Sequence, residues 1–450
     1  MIKDIKLLTR VLAILVSGLL VMGTVHAQKD DENPQGNVKT KKAEAVSKKV
    51  YDKIQAAQEK IDEEDFAGAL KILDTLRRSD KLSNYERTNV LNYIGYVYYS
   101  TDDMVGAVGV YKEMLTIPDL EPQLRKQTVY TMAQLMTMEE DYVDAIKYLE
   151  LWFTLETNPG PQPFILYAQN LYQINRISDM IIPIESAIDI AKRRETAVKE
   201  DWYVLLNFAY FNEENYVKVR DIQKILLVSW PKKRYWFSLA GAFTELGEEK
   251  NLLAAYDAAH TQGMLESEAE LVTMAQLYMQ NEVPYKAATL IDKEMKSGRI
   301  EKSGKNYRLL SQAWSLSMED AKSIPALKEA ARLSEEGELN LRLGNAYLNL
   351  GQYAECVAAV QAGVRKGGIK SPDNAQISLG MCQYNLKKYS EAKKAFALAS
   401  KTRRSKRIST QWIAVINADI ERNRQIRLAE KAARERQEEL AKRRRENERF

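Results

Sequence analysis

The sequence is poor in the residues that build most active sites. Its 450 residues hold two histidines and two cysteines. His26 falls in an apolar leader, so His260 is the one imidazole in the remainder. That excludes the paired-histidine metal motifs and leaves a single candidate base. Two cysteines cannot make a disulfide scaffold, so apolar packing has to hold the fold. No segment alternates apolar and polar residues for long enough to read as a strand. No phosphate-cradling glycine loop and no Gly-x-Ser-x-Gly elbow occur. Carboxylates are plentiful, but none form a spaced pair in a glycine-rich or strand-ending setting, and they read as solvated helix faces. His260 sits in AAYDAAHTQG, just before Gly263, where an imidazole meets a helix C-terminus or solvent. Enzyme activity is not expected, and no cofactor or metal is called for.

Long hydrophobic runs are lacking too, except at the start. Lys3, Lys6 and Arg10 precede VLAILVSGLLVMGTV, and Val25-His26-Ala27 follows it. The charged start, apolar run and small residues have the form of a signal peptide over residues 1–27, cleaved after Ala27. The other reading is a retained anchor, for which the run is short. A bacterial periplasm is the expected location, with possible peripheral contact to a membrane. Residues 28–46 are polar, carry Pro34 and Gly36, and read as a disordered spacer.

What remains is rich in helix formers, and the expected class is all-α. It also repeats. LRLGNAYLNLGQYAECVAAV (341–360) places Gly344, Tyr347, Gly351 and Tyr353 at offsets that recur in SLGMCQYNLKKYSEAKKAFALAS around Gly380 and in NYIGYVYYSTDDMVGAVGVYKEM around Gly95. Ten units can be laid out, anchored at Ala57, Gly95, Ala133, Ala168, Asn207, Ala240, Ala275, Ser311, Gly344 and Gly380. A small side chain on a first helix lets a second helix approach closely, and bulky neighbours fill the space beside it. Gly344 and Gly380 are expected to face Cys356 and Ala392. Some units are degenerate: Asn207 stands where a small residue belongs, Met180 replaces an alanine, and Pro284 and Pro325 begin or interrupt second helices.

This spacing resembles the tetratricopeptide repeat (TPR), whose period is about 34 residues. The resemblance implies a right-handed superhelical solenoid over residues 47–400 that binds proteins on the concave side lined by its first helices. In that frame the groove-facing positions are Asn92, Tyr96, Tyr99, Gln134, Gln169, Tyr172, Asn345, Asn349, Tyr384 and Asn385. Amides can bond a peptide backbone and tyrosines add rigid contact area; the other reading is ordinary polar surface. The resemblance also puts Cys356 and Cys382 on elements that pack together, either as a disulfide or as two buried small residues. The basic clamp for a terminal carboxylate is not visible.

Beyond Ser400 the pattern changes. Trp412, Ile413, Ile416 and Ile420 form one stripe, expected to cap the last unit over residues 401–420. Residues 421–450 read as a separate charged helix. From Lys401 to Phe450 there are 16 Lys and Arg against 8 Asp and Glu. Arg443, Arg444 and Arg445 can meet anionic lipid or an acidic protein. Nucleic acid fits the charge but not the leader. The layout of leader, repeat array and charged tail is similar to that of periplasmic TPR proteins accompanying TonB and ExbB/ExbD systems, which implies such partners and a role in uptake. The alternative is an adaptor for outer-membrane assembly or peptidoglycan.

Overall fold

The computed structural model describes residues 46–447, and side chains as far as Arg445. The signal peptide and nearly all of the spacer expected from the sequence lie outside the described residues. The described chain forms 21 α-helices with no strand among them. Twenty of them make ten hairpins: α1 Lys48–Asp62 with α2 Phe66–Arg77, α3 Asn84–Ser100 with α4 Met104–Leu115, α5 Pro122–Met138 with α6 Tyr142–Leu155, α7 Pro161–Gln173 with α8 Ile181–Arg193, and α9 Glu200–Asn212 with α10 Tyr216–Ser229. Then follow α11 Lys233–Glu245 with α12 Glu249–Thr261, α13 Glu268–Gln280 with α14 Pro284–Ser297, α15 Gly304–Leu316 with α16 Asp320–Leu333, α17 Glu338–Asn349 with α18 Tyr353–Lys366, and α19 Pro372–Asn385 with α20 Tyr389–Ala399. The last helix, α21, runs from Arg403 to Asn447.

Each of the ten anchors lies on the first helix of a hairpin, and each is buried. The glycines show why. A Cβ on Gly95 would lie 2.6 Å from the Tyr111 ring, one on Gly344 2.4 Å from a Val360 methyl, and one on Gly380 2.8 Å from Phe396. The side chain pressed on each of these three glycines is thus 16 positions later; Cys356, 12 positions after Gly344, also faces it through its backbone carbonyl at 3.4 Å, while Gly380 meets the Phe396 ring first. In the fifth hairpin those two places hold Asn207 and Gln223, both buried, with Oδ1 and Oε1 lacking a hydrogen-bond partner among the described residues.

The turns inside the hairpins share one geometry. A left-handed residue ends every first helix, from Glu64 (φ 58°) and Asp102 (φ 61°) to Met318 (φ 59°) and Lys387 (φ 61°), and only Gly247 and Gly351 are glycine there. The next N–H then bonds back five residues, as in Asp65 to Lys60 at 2.8 Å and Gln352 to Tyr347 at 2.9 Å. This satisfies carbonyls that the helix end leaves open. Asp65, Asp103 and Asp141 cap the following helix by accepting from the N–H three residues on. Pro284 stands in the first turn of α14, where its missing N–H costs nothing, while Pro325 is carried inside α16. The fourth turn is longer, with Met180 buried in a short 3₁₀ segment before α8.

The chain divides into two compact units, one ending at Thr128 and one from Val129 to the C-terminus, where the sequence pattern reads as one block over 47–400. The boundary falls within α5. In the first unit Leu73, Leu91, Ile94 and Met114 are fully buried, and Glu86 ties Ser47 to α3 by accepting its N–H at 2.9 Å. In the second unit the cores follow one another along the hairpins, from Leu171, Ile184 and Leu226 through Leu271 and Ile291 to Val360 and Phe396.

The capping helix and the tail, expected as two segments, are one helix. No glycine or proline occurs between residues 401 and 450, and the pair Arg422–Asp419 at 2.6 Å crosses the junction of Ile420 and Glu421.

Candidate interaction surface

The ten groove-facing positions all fall on first helices: three on α3, one on α5, two on α7, two on α17 and two on α19. Asn92, Tyr96 and Tyr99 lie at i, i+4 and i+7 of α3, so they share one face. They are half-buried, as are Gln134 and Gln169, and Asn349 is exposed. None of these six makes a side-chain hydrogen bond or a ring contact among the described residues. They are polar, accessible and free to bond.

The other four are engaged by the fold. Asn345 Oδ1 accepts from Ser378 of the next hairpin at 2.7 Å. Tyr172 lies edge-on to Phe208, with ring centroids 5.6 Å apart. Asn385 donates to the Met381 carbonyl at 2.9 Å. Tyr384 donates to Asp419 of α21 at 2.6 Å and packs on Trp412 at 5.2 Å, and the Asp419 carboxylate raises its pKa.

These contacts belong to a set that the sequence reading did not separate from the free positions. Thr137 and Asn170 bond each other at 2.9–3.1 Å from successive first helices, and Asn306 donates to Glu268 at 2.6 Å. The separations of 33 to 38 residues are those of the repeat itself. A polar residue one repeat away from another is the available signal. Asn170 is fully buried, which marks it as structural.

The carboxylates with perturbed titration are structural as well. Burial alone would raise Glu270, but the Ser267 N–H, Lys233 and the Glu266 N–H pull it down to about 2. Glu86 is lowered by Ser47 and by the Ser83 N–H, in a capping box at the start of α3. Asp373 is lowered by the Ser405 hydroxyl and the Arg404 guanidinium, at 2.5 and 2.8 Å. His260 is half-buried in the last turn of α12, with no side-chain hydrogen bond among the described residues. Among the described residues no group of three or more His, Cys, Asp or Glu side chains is placed to hold a metal.

Cys356 of α18 and Cys382 of α19 are joined in a disulfide, with Cα atoms 6.3 Å apart and both side chains fully buried. It links the ninth hairpin to the tenth. Arg443, Arg444 and Arg445 lie near the end of α21, all exposed, and Arg443 pairs with Glu439 at 2.7 Å.

A repeated two-helix unit with small anchors, bonded turns and polar residues along its first helices defines an all-α hairpin-repeat protein. A tetratricopeptide repeat family model matches residues 341–405, from α17 through α20 to the start of α21. No curated protein matches the chain. Among solved structures, MamA is 20% identical over 38% of this chain and 90% of its own, with a TM-score of 0.32. YrrB, described as a TPR protein with an unusual peptide-binding site, is 16% identical over 42% of this chain and 95% of its own, at a TM-score of 0.34. A tetratricopeptide repeat protein from Parabacteroides merdae is 14% identical over 55% of this chain and 93% of its own, at 0.32.

Proposed function

We propose that this protein is an exported scaffold of the bacterial periplasm. On this reading it holds a partner of the TonB–ExbB/ExbD energy-transducing machinery against the free polar positions of its first helices. The observation that carries the location is the buried Cys356–Cys382 bridge, because disulfides persist in oxidising compartments and are rare in the cytosol. It agrees with the signal-peptide form of residues 1–27. The binding reading rests on Asn92, Tyr96, Tyr99, Gln134, Gln169 and Asn349, which present amides and phenols that no neighbour uses. No catalytic role is assigned to any residue.

The test is a photo-crosslinking amino acid placed at Tyr99 and at Gln169 in living cells. The expected adducts contain TonB, ExbB or ExbD, and they disappear when the neighbouring Tyr96 or Gln134 is changed to alanine. Adducts made only of outer-membrane assembly or cell-wall proteins would replace the TonB assignment by the adaptor alternative. Recovery of the uncleaved chain in the cytoplasm would overturn the location.

A further inference from the structure

Within the second unit the sixth hairpin, α11 with α12, is the one least tied by apolar packing. The residues that α12 buries are Ala255 and Ala259, whereas every other second helix buries a larger side chain, such as Leu226 on α10, Ile291 on α14 and Leu327 on α16. Leu239, Ala240, Phe243 and Ala255 form a small core of their own, set between the larger cores of the fourth and fifth hairpins and of the seventh and eighth. Two further features weaken α11. Trp236 Nε1 is buried with no hydrogen-bond partner among the described residues, so its desolvation is uncompensated. Gly241 lies inside the helix where a Cβ would meet nothing within 4 Å, so the helix carries the entropic cost of a glycine that no close contact requires. Ionic bridges take the place of packing on both sides. Toward the fifth hairpin, Glu200 is held by Lys232 at 2.6 Å, by Arg234 at 2.8 Å and by the Tyr235 hydroxyl, and Arg220 of α10 pairs with Glu248 at 3.1 Å. Toward the seventh, Lys233 bridges Glu266 at 3.1 Å and Glu270 at 3.0 Å, and the Tyr278 hydroxyl donates to Asp257 at 2.5 Å.

We propose that the sixth hairpin is an ionically latched joint at which the second unit bends. Ion pairs between partly exposed side chains weaken as salt rises, because mobile ions screen them, whereas a covalent bridge does not. A hairpin fastened by such pairs and lacking a bulky core on its second helix loosens before its neighbours do. Gly247 (φ 68°) and Gly263 (φ 72°) flank α12 and give it pivots that tolerate wide changes of backbone angle. The C-terminal side is stiffer. The seventh and eighth hairpins share one core from Leu271 to Ala326, and the Cys356–Cys382 disulfide joins the ninth to the tenth. Bending is therefore placed at α11 and α12 rather than spread along the unit. It bears on binding, because Gln134 and Gln169 precede the joint and Asn349 follows it. A change of angle alters the spacing of these free first-helix positions while leaving each one intact. The joint goes beyond the proposed function and does not depend on which partner, if any, those positions hold.

The test uses the mature full-length protein carrying pairs of nitroxide labels, read by pulsed electron spin resonance at about 50 mM and about 500 mM salt, on either side of physiological screening. Lys224→Cys with Lys328→Cys puts labels on α10 and α16, three hairpins apart across the joint. Lys293→Cys with Lys394→Cys puts them on α14 and α20, also three hairpins apart but beyond it; all four lysines are exposed. At high salt the distance distribution across the joint is expected to be roughly twice as broad as the control or more, and at low salt to narrow toward it, while the control stays constant. Lys233→Ala removes the bridge to Glu266 and Glu270 and should broaden the first distribution at low salt without touching the second. In hydrogen exchange, Gly241→Ala should slow α11 by about two- to fivefold and leave helices outside the sixth hairpin unchanged. Equal breadths for the two pairs at both salts overturn the joint. Equal broadening of both pairs at high salt makes the softening general and overturns its placement. Broadening that Lys233→Ala does not reproduce overturns the ionic latch. Should Lys233→Ala fail to fold, exchange of the native protein decides: α11 and α12 exchanging no faster than α9 and α15 refutes the proposal.

Discussion

The two halves of α21 have the same secondary structure and opposite relations to the fold. From Arg403 to Arg422 the helix buries Ser405, Ser409, Ile416 and Asp419, stacks Trp412 on Phe396, and is fastened at two carboxylates, Asp373 with Arg404 and Ser405, and Asp419 with Tyr384 and Arg422. From Arg424 to Arg445 every residue is exposed. The proximal half is held by tertiary packing, the distal half by its own backbone and by pairs such as Arg443–Glu439. Continuity of a helix therefore says nothing about where the fold ends.

The comparison is broken most sharply by placing the same charge in each half. Ile416 is fully buried against Phe396 and Ala392, whereas Ile426 is 48% exposed. Ile416→Asp loses that packing and buries an unpaired carboxylate, and should destabilise the second unit by roughly 3–5 kcal/mol. Ile426→Asp should shift stability by less than about 0.5 kcal/mol. Denaturant unfolding of the two variants checks this, and equal losses would mean that the distal half packs as the proximal half does.

The next effect comes from the disulfide that ties the hairpin carrying α21 to its neighbour. The bridge spans 26 residues, for which chain-entropy reasoning gives about 3–4 kcal/mol. Cys356→Ala with Cys382→Ala should lower the denaturant midpoint by a corresponding amount. The loss should appear in hydrogen exchange of α19, α20 and proximal α21, while the distal half, already exposed, exchanges as before.

How much of this could be read from the sequence depends on whether a residue's role is set by spacing or by a partner. The anchors were legible, because a small side chain under a bulky one is a requirement of close helix approach and recurs at the repeat period. The turns were not legible as turns. Eight of the ten left-handed positions hold Glu, Asp, Asn, Met or Lys, and glycine marks only Gly247 and Gly351. The bonding of the turn to the preceding carbonyls holds those residues in place at a local cost of about 1–2 kcal/mol. The interaction positions were legible as a face but not as a state. Phase sorts Asn345 and Tyr384 into the same class as Asn349 and Tyr96, but only the structure reveals that Ser378 and Asp419 already occupy the first two. In the same way the sequence separates an apolar stripe from a basic tail, and the backbone runs through both.

A smaller effect concerns pH. Asp373 titrates below the usual carboxylate range because the Ser405 hydroxyl and the Arg404 guanidinium favour its charged form. A depressed pKa in the folded state contributes stability above the unfolded value, near 4, and that contribution is lost as pH falls through the lower, folded value. Asp373→Asn should cost about 1–3 kcal/mol at neutral pH. The difference from the native protein should shrink as pH is lowered below about 4, in a titration of unfolding monitored at Trp412. A difference independent of pH would show that the cost of the amide does not come from the lost charge.

The smallest effect on stability is expected from the largest deletion. Removing residues 423–450 takes away a run that is exposed throughout from Arg424 to Arg445 and whose ion pairs lie within it, such as Lys431–Glu435 at 3.8 Å, apart from the exposed pair of Arg424 with Glu421 at 3.7 Å. Such exposed pairs contribute between zero and about 1 kcal/mol each, and only to the helix that carries them. The melting temperature of the remaining protein should be nearly unchanged, while the far-ultraviolet helix signal falls by the share of the residues removed. If Arg443, Arg444 and Arg445 serve to retain the protein at an acidic partner or an anionic surface, the truncated protein should elute at lower salt from a heparin or phosphatidylglycerol support. A drop in melting temperature comparable to that of Ile416→Asp would place the distal half inside the fold and erase the difference between the two halves. Unchanged melting with unchanged retention would leave the tail without a binding role.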